Sequence, residues 1–281
     1  MLELIKATII GIVEGLTEFL PVSSTGHIII AEQFVHMRES KQFMDMFNYV
    51  IQFGAILAVI VLYFNKLNPF SGKKDAEEKK QTWILWFKVI VAVIPSVIAG
   101  LALNDWMDAH LMTWQVVSAF FIIYGVIFIF VEKHNEKQTP RHTNLYTLPW
   151  KTALFVGLFQ VLSIVPGTSR SGATILGGIL VGASRFVASE FSFFLAIPTM
   201  IGVTILKVGK FLLEGNTFSG AETMVLFVGT LVSFIVAIIA IKTFLGFIKT
   251  HDFKAFGYYR IVAGIVFIVL GLMGVLQGNL S

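Results

Sequence analysis

Six long apolar runs decide what this chain can fold into. They fall at about Phe47–Phe64, Ile84–Leu103, Trp114–Val131, Phe191–Leu206, Thr223–Ile241 and Ile261–Leu276. A helix that crosses the hydrocarbon of a bilayer needs roughly 20 residues, and each run is at or near that length. The fourth is the shortest and contains Pro198. Of the 281 residues, 56% are hydrophobic and only 14% charged, against about 25% charged in a soluble domain. Such a chain cannot cover a globular surface with polar groups. In lipid, backbone N–H and C=O groups must be paired inside the segment, so the runs are expected to be helices. The expected fold class is an all-α membrane protein with six transmembrane helices, in a single integral membrane domain covering residues 1–281.

Two further apolar regions are interrupted. Ala7–Val13 runs into Glu14, Glu18 and Pro21 and resumes as Ile28–Phe34; Trp150–Val165 runs into Pro166, Gly167 and Arg170 and resumes as Ala173–Val181. None of these pieces spans alone. Two short helices joined by a polar turn predict a re-entrant hairpin, tolerated only inside protein or beside a wet cavity.

The charges orient this arrangement. The linkers 65–82, 104–113, 132–151, 207–222 and 242–260 carry 5, 0, 4, 2 and 4 Lys or Arg residues. The rich linkers share a side, which should be cytoplasmic, and both termini then face outward. The formal charge of +4 reads as this topological signal; nucleic-acid binding is not expected, since no basic face with interleaved aromatics occurs. With no cysteine, disulfides and thiolate metal sites are excluded. Glu14 and Glu18 interrupt the first apolar run too early for a cleaved signal.

The order repeats: a broken segment is followed by three spans, twice. Gly11-Ile-Val-Glu14 parallels Gly157-Leu-Phe-Gln160, the turn from Pro21 parallels the turn from Pro166, and Trp114-Gln-Val-Val-Ser-Ala parallels Tyr259-Arg-Ile-Val-Ala-Gly. Three spans per half is odd, so the halves, about 1–135 and 150–281, are expected to form an inverted-topology repeat with a site near the midplane.

Chemistry concentrates in the two broken segments. Glu14 and Glu18 lie one helical turn apart on one face. Carboxylates inside an apolar segment are costly and functional by default. They suit a divalent cation held by oxygens, or one stays protonated as an acid; the plainer alternative is that they cap helices or neutralise basic residues. Pro21 should end the first short helix. Ser23, Ser24 and Thr25 then offer hydroxyls and an N-cap. His27, three residues beyond Ser24, could activate a nucleophile, or it is a buried, hydrogen-bonded histidine. In the second segment, Gly167 and Gly172 permit close backbone approach, and helix N–H groups favour an anion. Arg170 brings a planar donor fork suited to phosphate, with Ser169, Ser171 and Thr174 beside it; alternatively, Arg170 pairs with a glutamate to join the halves. Elsewhere, Asn48, Gln52 and Gln160 are candidates to line a cavity, and Arg185 and Glu190 to form an ion pair. Five histidines, His36, His110, His134, His142 and His251, fall at interfaces. The 27 Phe read as lipid-facing bulk and Asp75–Lys80 as a solvated loop.

Taken together, Glu14-x-x-x-Glu18, Ser-Ser-Thr-Gly-His27 and Pro-Gly-Thr-Ser-Arg170-Ser-Gly-Ala-Thr174 resemble the undecaprenyl-diphosphate phosphatase family of bacterial inner membranes, along essentially the whole chain. The resemblance implies hydrolysis of undecaprenyl diphosphate to undecaprenyl phosphate and inorganic phosphate. That reaction recycles a lipid carrier for peptidoglycan and is linked to bacitracin resistance. It implies a multi-pass protein of the bacterial plasma membrane whose site faces the outer side. It also implies a divalent cation, Mg2+ with Ca2+ as the alternative, at Glu14 and Glu18, which would serve metal or acid/base roles. Ser24 would be the nucleophile, with Ser23 and Thr25 beside the substrate, and His27 the base or a competing nucleophile. Arg170 would clamp the diphosphate, helped by Ser169, Ser171 and Thr174. The expected partners are the polyprenyl diphosphate, membrane lipid and, as candidate assembly, a second copy in a homodimer. Phosphatidic-acid phosphatases are excluded, because no Lys-x6-Arg-Pro stretch occurs. The alternative function is a transporter or flippase of a phosphorylated polyprenyl lipid.

Overall fold

The computed structural model describes residues 1–276, apart from the side chains of residues 104, 105 and 108. Among the described residues the architecture is helical, with no β-strand beyond a lone bridge between His142 and Ala183. Six helices are long and apolar enough to cross a membrane. They are α3 (Lys41–Leu62), α5 (Ala76–Leu111), α6 (Trp114–Asn135), α9 (Arg185–Leu213), α10 (Gly220–Phe247) and α11 (Lys254–Leu272). Each expected run lies on one of them, with its ends moved by local chemistry. α3 begins early because the Ser40 hydroxyl accepts from the Phe43 N–H at 3.1 Å. α9 continues through Pro198 for 29 residues. The stretch from Asp75 is not a loop. Asp75 and Glu78 form a reciprocal capping box that starts α5, satisfying N–H groups a helix start leaves open.

The interrupted regions fold as pairs of shorter helices. α1 (Leu2–Thr17) is followed by α2 (Ser24–Val35). α7 (Trp150–Val161), extended by a 3-10 turn at Leu162–Ile164, is followed by α8 (Arg170–Leu180). A single turn of helix, α4 (Phe64–Leu67), completes the set. α1 packs on α10 and α7 on α5; α3 lies against α9 and α10, α5 against α9, and α6 against α11. Glycines allow close approaches in the first two pairings. A Cβ on Gly11 would sit 2.6 Å from the Gly229 carbonyl oxygen, and one on Gly157 would sit 2.0 Å from that of Ala92. Small residues let membrane helices touch backbone to backbone.

Three further expectations are corrected. Phenylalanine is core as well as lipid-facing bulk: Phe19, Phe128, Phe193 and Phe194 are fully buried, whereas Phe87, Phe130 and Phe227 are exposed. A bundle with few charged groups fills its interior with large apolar side chains. Arg185 and Glu190 do not pair. Five positions apart on one helix they point to different faces; Arg185 meets Glu132 at 2.5 Å and Lys66 meets Glu190 at 2.6 Å. Arg260 is not a linker charge. It sits within α11 with 0% exposure.

Candidate active site

The turns of the two helix pairs meet in the interior. Each second helix starts from a serine in the left-handed region: Ser23 has φ 72° and Ser169 φ 75°, and no other non-glycine residue among those described has positive φ. Such a conformation costs an L-residue about 1–2 kcal/mol. The two N-caps correspond, so Ser24 corresponds to Arg170. The sequence alignment from the prolines had matched Ser24 with Ser169. The second turn is one residue longer, and Gly167, at φ 86°, lies in the extra length.

Arg260 holds both turns. Its Nη1 donates to the Pro21 carbonyl at 3.1 Å and its Nη2 to the Gly167 carbonyl at 2.6 Å and the Phe120 carbonyl at 3.2 Å. The guanidinium also lies 5.0 Å from the Phe121 ring centroid and 5.6 Å from that of Tyr124. A buried cation is tolerated here because carbonyl oxygens and aromatic faces replace its water.

Held this way, the turns bring opposite charges together. Glu18, buried, accepts from the Ser24 hydroxyl through Oε2 at 2.5 Å and from Arg170 Nη2 through Oε1 at 2.8 Å. The Ser171 hydroxyl donates to the Leu20 carbonyl at 2.9 Å, tying the second turn to the first. Ser169 caps α8 by accepting from the Gly172 N–H at 3.1 Å, and it lies 3.1 Å from the Ser171 hydroxyl. Thr174 donates to the Arg170 carbonyl at 2.9 Å, and its hydroxyl meets that of Ser192 at 2.6 Å. Arg170 Nη1 donates to the Ser192 carbonyl at 2.8 Å, while its Nε has no partner.

A cavity of ≈ 220 Å³ opens on this group, lined among others by Glu18, Ser23, Ser24, Thr25, Ser169 and Arg170, with Tyr49, Gln52, Ser163 and Thr199 opposite. A second cavity shares Thr25, Tyr49 and Gln52 with it and extends past Asn48 to Lys41, Lys207 and Lys210. Gln52 and Asn48 thus line a cavity as expected. Gln160 instead lies buried behind it, donating to the hydroxyls of Ser96 at 2.6 Å and Thr199 at 3.2 Å.

Four of the expected residues stand apart from the cavity wall: Ser171 and Thr174, whose hydroxyls are spent on the bonds just described, and Glu14 and His27. Glu14 is fully buried on α1, and neither carboxylate oxygen has a hydrogen-bond partner. An uncompensated carboxylate is costly there, so this position calls for a proton or a cation. The chemistry of the donors fits a hard divalent ion. Mg2+ is commonly bound by one or two carboxylates plus substrate phosphate oxygens and water. No group of three or more acidic or histidine side chains placed to hold a metal occurs among the described residues. Substrate oxygens would therefore have to complete the shell. His27 does not reach the Ser24 hydroxyl, which is given to Glu18. Its Nδ1 lies 2.7 Å from the Ser23 carbonyl and its Nε2 lies 2.6 Å from the Tyr259 hydroxyl.

Sequence reasoning missed Ser192, Tyr259 and Arg260. Ser192 carried no mark beyond a small polar residue in an apolar helix. Tyr259 and Arg260 were visible as the counterpart of Trp114-Gln115 in the repeat, but they were assigned to a linker.

Residues 7–266 match the model of a protein family described as bacitracin resistance protein BacA. An undecaprenyl-diphosphatase of Latilactobacillus sakei subsp. sakei (strain 23K) is 64% identical over 272 residues, 97% of this chain and 98% of its own length. An undecaprenyl-diphosphatase of Lactiplantibacillus plantarum (strain ATCC BAA-793 / NCIMB 8826 / WCFS1) is 62% identical over 268 residues, covering 95% of this chain and 98% of that one. That of Limosilactobacillus fermentum (strain NBRC 3956 / LMG 18251) is 61% identical over 268 residues, with 95% and 97% covered.

Proposed function

This chain belongs to the bacitracin resistance protein BacA family, and on that premise we infer that it hydrolyses undecaprenyl diphosphate to undecaprenyl phosphate and inorganic phosphate. One observation carries the assignment to this site: the hydrogen-bonded sequence Ser24–Glu18–Arg170 at the cavity wall. A hydroxyl that already donates to a carboxylate has its base in place. The guanidinium beside it can neutralise charge on a transferring phosphoryl group.

In this reading the terminal phosphate enters the cavity between the two turns. Arg170, with its spare Nε donor, and the hydroxyls of Ser23, Thr25 and Ser169 hold its oxygens; Ser171 and Thr174 fix the turn and helix that carry Arg170. The Ser24 oxygen attacks the terminal phosphorus while Glu18 takes the hydroxyl proton. The bond between that phosphorus and the bridging oxygen breaks, and undecaprenyl phosphate leaves. Water then attacks the phosphoserine; as the bond between phosphorus and the Ser24 oxygen breaks, Glu18 returns its proton to that oxygen, and inorganic phosphate departs with the protons of the water. A divalent cation, Mg2+ or Ca2+, held by Glu14 and Glu18 together with phosphate oxygens, would supply further charge neutralisation when bound.

The finer architecture belongs to the same proposal. The packing of α1 on α10 beside α7 on α5, and of α3 on α10 beside α5 on α9, supports an inverted repeat with α1–α2 and α7–α8 as re-entrant hairpins. The cavity continues toward Lys207 and the end of α5, on the side whose linkers carry fewest basic residues. This supports an outward-facing site in a bacterial plasma membrane.

Phosphate release by the purified, detergent-solubilised chain tests the reading. With Mg2+ present, the wild-type chain should release phosphate from undecaprenyl diphosphate, and Ser24→Ala should bind the lipid yet release almost none. Lipid bound without phosphate release under any divalent metal would leave a transporter in its place. Wild-type turnover by Ser24→Ala would remove Ser24 as nucleophile.

A further inference from the structure

His27 stands beside the proposed nucleophile, yet its ring is turned away from it. The Ser23 carbonyl, 2.7 Å from Nδ1, can only accept, so Nδ1 carries a proton. The neutral ring has one N–H. Its Nε2 is then an acceptor, and the Tyr259 hydroxyl at 2.6 Å is the donor. The two rings also lie nearly parallel, 8° apart, with centroids at 5.7 Å, and Phe121 and Phe267 flank the imidazole. Both ring nitrogens are therefore occupied, and the cavity beside Ser24 is not lined by His27.

The bond to Ser23 has a specific consequence. In an ordinary first turn, the N-cap carbonyl is taken by the amide four residues on. Here the His27 N–H reaches the Ser23 carbonyl only at 3.4 Å, and the His27 ring supplies the shorter bond. Ser23 is also the residue held at φ 72°, and its side chain makes no capping bond to α2. Its counterpart Ser169 holds the same strain with a side-chain cap to Gly172. The first turn lacks that cap and has the His27 ring instead.

We propose that His27 is a positioning residue rather than the proton acceptor of the reaction, and that Tyr259 fixes its tautomer so that Nδ1–H pins the strained turn presenting Ser24. Tyr259 acts through His27 and touches neither substrate nor nucleophile. The role fits a general pattern in which the partner on one ring nitrogen sets what the other can do. It rests on the reading of Ser24 as nucleophile only for its kinetic readout.

Asparagine places an amide N–H where Nδ1–H stands, whereas glutamine reaches toward Nε2. With the wild-type chain as reference, His27→Asn should therefore keep turnover within about tenfold, while His27→Gln and His27→Ala should fall well below it. Tyr259→Phe keeps the stacked ring and loses only the hydroxyl. It should lower kcat by on the order of tenfold with KM little changed, the size of one buried hydrogen bond. In the His27→Asn background, Tyr259→Phe should cost nothing further, because an amide has no tautomer to fix. Loss of activity by His27→Asn equal to that of His27→Ala, or additive losses in the double variant, would overturn the proposal. A readout independent of turnover is the 15N NMR signature of His27 in the solubilised chain. Nδ1–H in the wild type and a shift toward Nε2–H in Tyr259→Phe are expected; Nε2–H in the wild type overturns the proposal even if phosphate release proceeds. A wild-type chain that shows the Nδ1–H form but releases no phosphate refutes the phosphatase reading alone.

Discussion

The α1–α2 and α7–α8 turns share a backbone device and differ in chemistry. Each enters its second helix through a serine at positive φ, and each gives a carbonyl to Arg260. The first turn carries Glu18 and Ser24, and Glu14 on α1 has two unpartnered oxygens. The second carries Arg170 and a capped Ser169, and Gln160 on α7 has its amide engaged by Ser96 and Thr199. One backbone device has been filled twice, once with a carboxylate and a hydroxyl and once with a guanidinium and a hydroxyl. Glu14 and Gln160 close the parallel stretches Gly11-Ile-Val-Glu14 and Gly157-Leu-Phe-Gln160, so the difference between the two turns lies in side chains.

The division predicts different kinetic signatures for the two turns. The largest effect is expected from Glu18→Gln, which keeps a single acceptor oxygen for Arg170, gives Ser24 an amide N–H in place of its acceptor, and removes the base. Its kcat should fall by about 10²–10⁴, with KM nearly held. Arg170→Lys keeps the charge and loses the fork, so it should chiefly raise KM for the diphosphate. If Glu18→Gln moves KM and Arg170→Lys moves only kcat, the division is wrong. An intermediate effect is expected at the matched pair behind the turns. Glu14→Gln should raise the Mg2+ concentration for half-maximal turnover by roughly tenfold. Gln160→Glu should leave that dependence where it was, although burying a carboxylate among hydroxyls lowers stability. A metal titration of both variants checks this. The smallest effect concerns the strained serines. Ser23→Gly relieves positive φ and loses no cap, so it should stabilise the solubilised chain by about 1 kcal/mol. Ser169→Gly relieves the same strain but gives up a cap, at a cost of roughly a few tenths of a kcal/mol for a glycine replacement, so it should stabilise by less. Thermal unfolding in detergent separates the two.

The six spans were legible because a long apolar run in lipid has a single backbone solution. The meeting of the two interrupted segments was legible because Glu18 and Arg170 are costly in apolar surroundings, and opposite charges there seek each other. What was hidden depends on packing between distant helices. Arg260 opens the last apolar run, and a basic residue at that place looks the same whether it faces the aqueous interface or the interior; only the pairing of α6 with α11 buries it. Ser24 and His27 have a spacing that joins side chains on a regular helix. The left-handed Ser23 ahead of them accompanies a different pairing, in which the hydroxyl goes to Glu18 and the ring back to the turn. Ser192 became visible only when α8 was laid against α9.

The way Arg260 grips the carbonyls of Pro21 and Gly167 bears on how the molecule comes to work during synthesis. Helices of a membrane protein are made in chain order, and the residue that gathers the two turns belongs to α11, after the other described helices. A nascent chain ending short of it would insert both bent segments with their carbonyls unclasped. The gathering of the turns waits on α11, so a half-made copy already lodged in lipid has them ungathered.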